Sequence, residues 1–200
     1  MSENQVNAEP TPAVEKKGLD PRIAFALMVA MIICALLIGA NKAWKKNRAG
    51  LDVSYLAWQE NTQQRVETAY NLLTVAGRYY APDDPQVAAV RKELTVMENT
   101  AGDLAARVNA ASTFLRDGKQ LLADLTEKTK AAGDARDTMY ASLMLPQALE
   151  QCGSDAALAD YNIAVMEYNG GLHSFSGWLA RLTGVKYASY AEIAADHAEQ

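Results

Sequence analysis

Residues 23–40 read IAFALMVAMIICALLIGA, eighteen positions without a charge or a strongly hydrogen-bonding side chain. As a helix rising about 1.5 Å per residue, the run is about 27 Å long, close to the hydrocarbon thickness of a bilayer. No other stretch constrains the chain so strongly, because a segment this apolar is stable only in lipid or in a core. Lys42, Trp44, Lys45, Lys46 and Arg48 follow it with no acid among them, as expected for the flank of a membrane anchor. A cleaved signal peptide ending at Ile38-Gly39-Ala40 is the rival reading. The length of the run and the four cations directly behind it favour an uncleaved single-pass helix. Lipid attachment at Cys34 is disfavoured, since Ile33 stands where a lipobox needs a small residue.

The rest of the chain divides around this segment. Residues 1–22 are polar, with Pro10, Pro12 and Pro21, and read as a disordered tail. Residues 41–50 form a basic juxtamembrane segment, 51–183 a helical domain and 184–200 an extended acidic tail. Cations number three before the span and four after it, so the positive-inside rule places the N-terminus outside and the main domain in the cytoplasm. Residues 51–200 carry 12 basic and 20 acidic side chains, a net charge of −8. That balance repels a phosphate backbone, and nucleic-acid binding is not expected.

Heptad spacing predicts long helices. Asp84 can cap a helix that opens on Pro85. Beyond it Val90, Leu94, Met97, Ala101, Leu104, Val108, Ala111, Leu115, Gly118, Leu122 and Leu125 step by four and three without a slip. This predicts one helix over about 85–131, passing through Gly102. Upstream, Val66, Ala69 or Tyr70, Leu73, Ala76 or Gly77, and Tyr80 keep the same period in a helix continuing from the span, with Gly50 as a candidate bend. Gly133-Asp134 supplies a stop and a new cap. A last helix reaches Phe175, with Pro146 and Gly153 as irregularities. On it Leu158, Tyr161, Val165, Tyr168, Leu172 and Phe175 form one stripe, and Leu145, Leu149, Cys152, Ala156, Ala159, Ile163 and Met166 a second. Two adjacent stripes imply two neighbours, as in an antiparallel up-and-down bundle. The expected fold class is all-α.

Within that last helix the pair Tyr161-Asn162 recurs as Tyr168-Asn169, seven residues on. The set Tyr161, Asn162, Val165, Tyr168, Asn169, Leu172 and Phe175 resembles the C-terminal signature of LemA proteins, single-pass bacterial membrane proteins. Leu179, Gly184 and Tyr190-x-Glu192 continue the match, and Asn71-Leu72-Leu73, Tyr79, Ala57-Trp58, Tyr140 and Leu143 resemble family positions upstream. The chain departs from the pattern at Ser176, where the family has Pro, and its Lys-Arg-Arg run is reduced to Arg65. The resemblance implies a membrane span followed by an antiparallel helical bundle, and brings no catalytic activity with it.

The residues themselves offer little chemistry. There are two histidines and two cysteines. Neither His173 nor His197 has the carboxylate three residues earlier that a bundle di-iron site uses. Cys152 sits in an apolar stripe, and no phosphate loop or nucleophile elbow is present. No catalytic residue, metal or cofactor is expected. The reading is a membrane-anchored scaffold or interaction module at the bacterial inner membrane. Its partners would be the lipid bilayer and other membrane or membrane-associated proteins, with a homo-oligomer open as one arrangement. The alternative is a sensory bundle that binds a small ligand between helices, for which Gln147, Gln151 and Ser154 form the one polar cluster near a seam.

Overall fold

A computed structural model describes residues 20–191. The expected tail over 1–22 lies outside them up to residue 19, as do residues 192–200 of the acidic tail. Pro21 and Arg22, counted with the tail, belong to the first helix. The described residues are helices and connections, with no strand among them.

Helix α1, Pro21–Ala76, is one continuous helix of 56 residues. Pro21 occupies its first turn, where a missing N–H costs nothing, and the Asp20 carboxylate accepts the Arg22 N–H at 2.9 Å. The expected bend at Gly50 is absent: the helix runs through it without interruption. Almost all side chains over residues 23–39 are exposed, Ile23, Phe25, Met31 and Ile38 among them. One helix near the N-terminus is therefore long and apolar enough to cross a membrane.

Most of the heptad seam over 90–125 is buried, but in two helices. Val90, Leu94, Met97, Val108, Ala111, Leu122 and Leu125 lie in the core, while Leu104 and Leu115 are half-buried and Ala101, at the break, is exposed. Helix α2 is Pro85–Glu98 and α3 is Leu104–Ala132. Asn99 leaves the helical region at ψ 81°, and Asp103 opens α3 by accepting the Ala106 N–H at 3.2 Å. Stop and cap chemistry packed into five residues overrides a periodicity that continues in phase across them. Gln86 bonding to Asp124 and Arg107 to Met97 show α3 folding back antiparallel on α2.

The other capping expectations hold. Asp84 accepts from Gln86 and Val87, while Gly133 closes α3 in the left-handed region at φ 70°. Asp134 then accepts the Asp137 N–H and opens α4, Ala135–Met139. A π-turn over Tyr140–Met144 follows, in which Leu145 N–H reaches back to Tyr140 O. It ends two residues before Pro146, which has no N–H to give an ordinary turn. Helix α5 is Leu145–Gln151, and residues 152–155 interrupt the chain beside Gly153. Helix α6, Ala156–Gly171, and α7, Phe175–Leu182, complete the fold.

The descending chain from α4 to α6 lies antiparallel along α1. Arg78 meets Asp137, Arg65 meets Asp155, Tyr55 packs on Tyr161, and Trp44 packs on Tyr168. Two hydrophobic clusters result. One, centred on Leu72, Phe114, Leu121 and Leu145, joins α1, α2, α3 and α5. The other, around Trp44, Trp58, Val165 and Leu172, joins α1 to α6 and α7 and reaches back to Ala40. The packed bundle thus begins at the last residue of the apolar run and takes in the segment expected as a basic juxtamembrane stretch.

Two details of the last helix differ from expectation. The second stripe splits at the 152–155 interruption: Leu145, Leu149 and Cys152 are buried, whereas Ile163 and Met166 are about half exposed. The restart changes helical phase, so α6 buries one face. Phe175 does not extend the seam but opens α7 and is 71% exposed, because the chain turns at His173-Ser174 and Ser174 Oγ accepts the Gly177 N–H.

Candidate functional site

The doubled Tyr-Asn proves to be a device for holding extended backbone. Asn162 Nδ2 donates to Ala191 O at 2.7 Å, and its Oδ1 accepts Ala191 N–H at 2.9 Å. Asn169 treats Ala188 in the same way, at 2.9 Å for both bonds. The adjoining tyrosines add a bond each, Tyr161 Oη to Ser189 O at 3.0 Å and Tyr168 Oη to Lys186 O at 3.4 Å. Residues 185–191 carry no regular secondary structure and run antiparallel to α6.

The spacing of the motif follows from this pairing. Seven helical residues advance about 10.5 Å, and three extended residues advance about 9–10 Å. Asparagines seven apart on α6 therefore match alanines three apart on an extended segment. Asn supplies both a donor and an acceptor, so one side chain saturates both polar groups of one residue. Gly184 makes the approach feasible: at φ 91° it ends α7, with Gly184 N–H bonding to Arg181 O and Val185 N–H to Ala180 O.

Beneath the segment lies an aromatic layer. Trp44 meets Tyr168 edge-on with centroids 5.5 Å apart, and Tyr55 lies 5.8 Å from Tyr161 and 5.6 Å from Trp58. Arg107 spans Trp58 at 5.0 Å. Val165, between the two tyrosines, is fully buried. Burial pushes the Tyr161 phenol above its ordinary range, with Tyr55 adding to the shift, so it remains a neutral donor. Trp44, expected at the membrane interface, is instead a core residue. It lies so close to α6 that a Cβ on Gly171 would fall 2.5 Å from its ring. Lys42, Lys45, Lys46 and Arg48 are exposed, as a flank requires.

Two buried arginines, one on α1 and one on α3, close the helix interruptions. Arg65 donates to Cys152 O at 2.8 Å and Ser154 O at 3.1 Å, and pairs with Asp155 at 2.8 Å. Arg107 donates to Met97 O at 3.3 Å and Tyr55 Oη at 3.4 Å. At the far end, buried Asp137 accepts two bonds from Arg78 and one from Tyr79. Burial acts to raise the Asp137 pKa, but the bonds from Tyr79 and Arg78 outweigh it and hold the carboxyl below its usual value. Tyr79 is pushed up to about 12, by burial first and by its bond to Asp137 second.

Elsewhere the candidates are dispersed. Gln147, Gln151 and Ser154 are all exposed, so they do not converge between helices. A groove of about 460 Å³ does lie beside the π-turn, between Leu122 on α3 and Pro146 on α5. Burial pushes the Cys152 thiol up, away from thiolate character. His173 is exposed beside Tyr187, and His197 lies outside the described residues. Among the described residues, no three His, Cys, Asp or Glu side chains come together as a metal site.

Periodicity also carried a signal that the sequence reading passed over. Trp44, Leu51, Trp58, Arg65 and Leu72 stand seven apart, and all are buried. Trp44, Leu51 and Trp58 pack in the cluster with α6, Arg65 reaches the break at 152–155, and Leu72 belongs to the cluster with α2, α3 and α5. A search for apolar residues alone misses this row because one member is Arg. Compared with protein-family models, curated proteins and solved structures, the chain matches none.

Proposed function

We propose that the chain is a membrane-anchored helical-bundle scaffold or interaction module of LemA type, without catalytic activity of its own. One observation carries this reading. The exposed apolar run of residues 23–40 passes without interruption into the helix that forms the spine of the bundle. A continuous helix transmits position and orientation from a bilayer to a packed domain, which a flexible linker does not. Anchoring confines the domain to a plane and raises its encounter rate with other membrane-bound partners through effective concentration. The use of the Tyr-Asn polar groups to bind this chain's own backbone supports an architectural role for the motif. Under this reading the protein is single-pass in the bacterial inner membrane, with its N-terminus outside and its bundle cytoplasmic, following the cations behind the span.

A rescue experiment tests the scaffold against a catalyst. Cys34 and Cys152 are replaced by Ala, and His173 and His197 by Gln, removing every thiol and imidazole in the chain. A thiol, imidazole or zinc enzyme would lose about two or more orders of magnitude in rate. The quadruple variant is expected to restore the defect of a deletion strain at normal protein level. Loss of rescue at that level contradicts the scaffold.

A further inference from the structure

We propose that α7 is a second membrane contact, an interfacial helix whose Phe175, Trp178 and Leu182 face seats in the bilayer beside the span. The proposal rests on reading residues 23–40 as that span. In α7 the small residues Gly177 and Ala180 are buried, Gly177 against the backbone of Gly171 and Leu172 and Ala180 in the cluster that holds Ala40 and Trp44 of α1. At 100° per residue, Phe175, Trp178 and Leu182 fall on the opposite side. They are 71%, 48% and 63% exposed, and the Phe175 and Trp178 rings stack 6.1 Å apart. Three large apolar side chains on eight residues would be a costly face to hold in water.

The position of the helix identifies what covers that face. Asn41 Nδ2 donates to Thr183 Oγ1 at 2.8 Å, directly after the apolar run ends. Thr183 shares a surface groove with Leu37 and Ile38, which belong to the last turn of the run, and with Lys42 and Lys45. Ala180 packs in one cluster with Ala40 and Trp44. The end of α7 therefore lies level with the end of the span, where acyl chains give way to headgroups. Trp and Phe beside cations suit that boundary. Lys42 and Lys45 supply positive charge for anionic headgroups at the same level, and Arg181 adds another cation on α7 itself. A soluble partner on this face would have to displace lipid that the span itself brings alongside. The arrangement gives the bundle two points of attachment, the span and α7, and so sets how α1 stands in the bilayer.

Depth-dependent quenching of the full chain in vesicles tests this. The vesicles contain phosphatidylcholine and phosphatidylglycerol, with bromine on the acyl chains as the quencher. A fluorophore is placed on one cysteine at a time. It sits on Cys34 in a Cys152→Ala chain, or at Phe175→Cys, Trp178→Cys or Met139→Cys with Cys34 and Cys152 both replaced by Ala. Phe175, Trp178 and Met139 are exposed, so each replacement leaves the packed faces intact. Labels at 34, 175 and 178 are expected to lose intensity to the brominated lipid, and the label at 139 to keep it. Quenching at 34 with 175 and 178 behaving like 139 overturns the α7 contact and leaves the span standing. Absence of quenching at 34 overturns both.

Discussion

Asn169 holds Ala188 by both of its peptide polar groups, giving one hydrogen bond and receiving one, each at 2.9 Å. The same relationship joins Asn162 to Ala191. The segment 185–191 is therefore fixed by side-chain amides instead of by a helix or sheet ladder. Asn169→Asp keeps the acceptor but sets a carboxylate against Ala188 O. Leaving that pairing unsatisfied costs about 1–3 kcal/mol, which corresponds to about fivefold to a hundredfold in local opening. Amide exchange at Ala188 should accelerate by about that factor, while exchange in α3 stays unchanged. Equal protection in variant and parent would mean that the amide does not hold the segment.

The neighbouring glycines separate close contact from chain flexibility. Gly171 has no room for a Cβ because the Trp44 ring occupies the place, whereas nothing lies within 4 Å of the equivalent point on Gly170. Gly171→Ala should destabilise the protein by about 1–3 kcal/mol through overpacking. Gly170→Ala should be neutral or stabilise by up to about 1 kcal/mol, since helix-interior glycine is entropically unfavourable. Thermal unfolding of both variants in detergent checks the difference. If both melt alike, Trp44 does not pack where it is described.

Asp137 gives a pH dependence of defined sign. Its carboxyl is held below the ordinary value, so the charged form stabilises the fold above the unfolded pKa of about 3.9. That contribution is lost as pH falls through the lower folded value. Asp137→Asn removes it. The difference in melting temperature between parent and variant should be constant above about pH 5 and shrink below about pH 4. A difference that stays constant or widens in acid would show that Arg78 and Tyr79 do not favour the ionised carboxylate.

Much of the fold was readable, for physical reasons that also mark where reading stops. Heptad spacing and Asp-Pro and Gly-Asp caps are local, so the run of α1 beyond the span, the start of α2 and the end of α3 were predictable. The hairpin at 99–103 was not, because the seam stays in phase through it while Asn99 and Asp103 carry the stop. Phe175 misled in the same way: its step from Leu172 fits the seam, but Ser174 caps a new helix. Trp44 reads as an interfacial anchor by composition, and only the approach of Gly171 makes it core. The Tyr-Asn repeat was visible as a pattern, yet its purpose was not. Its partners are backbone groups of alanines some twenty to thirty residues away, which leave no side-chain signature. Arg65 and Arg107 escaped for the same reason, since they bind carbonyls exposed by helix breaks.

The proposed anchor is tested most directly by an alkaline carbonate wash of membranes carrying the full-length chain, followed by mapping of its N-terminus. The intact chain, with residues 23–40 still attached to the bundle, is expected to remain in the membrane pellet. Release of a soluble fragment beginning near Asn41 would contradict it, since the apolar run would then be a removed signal and not the root of α1.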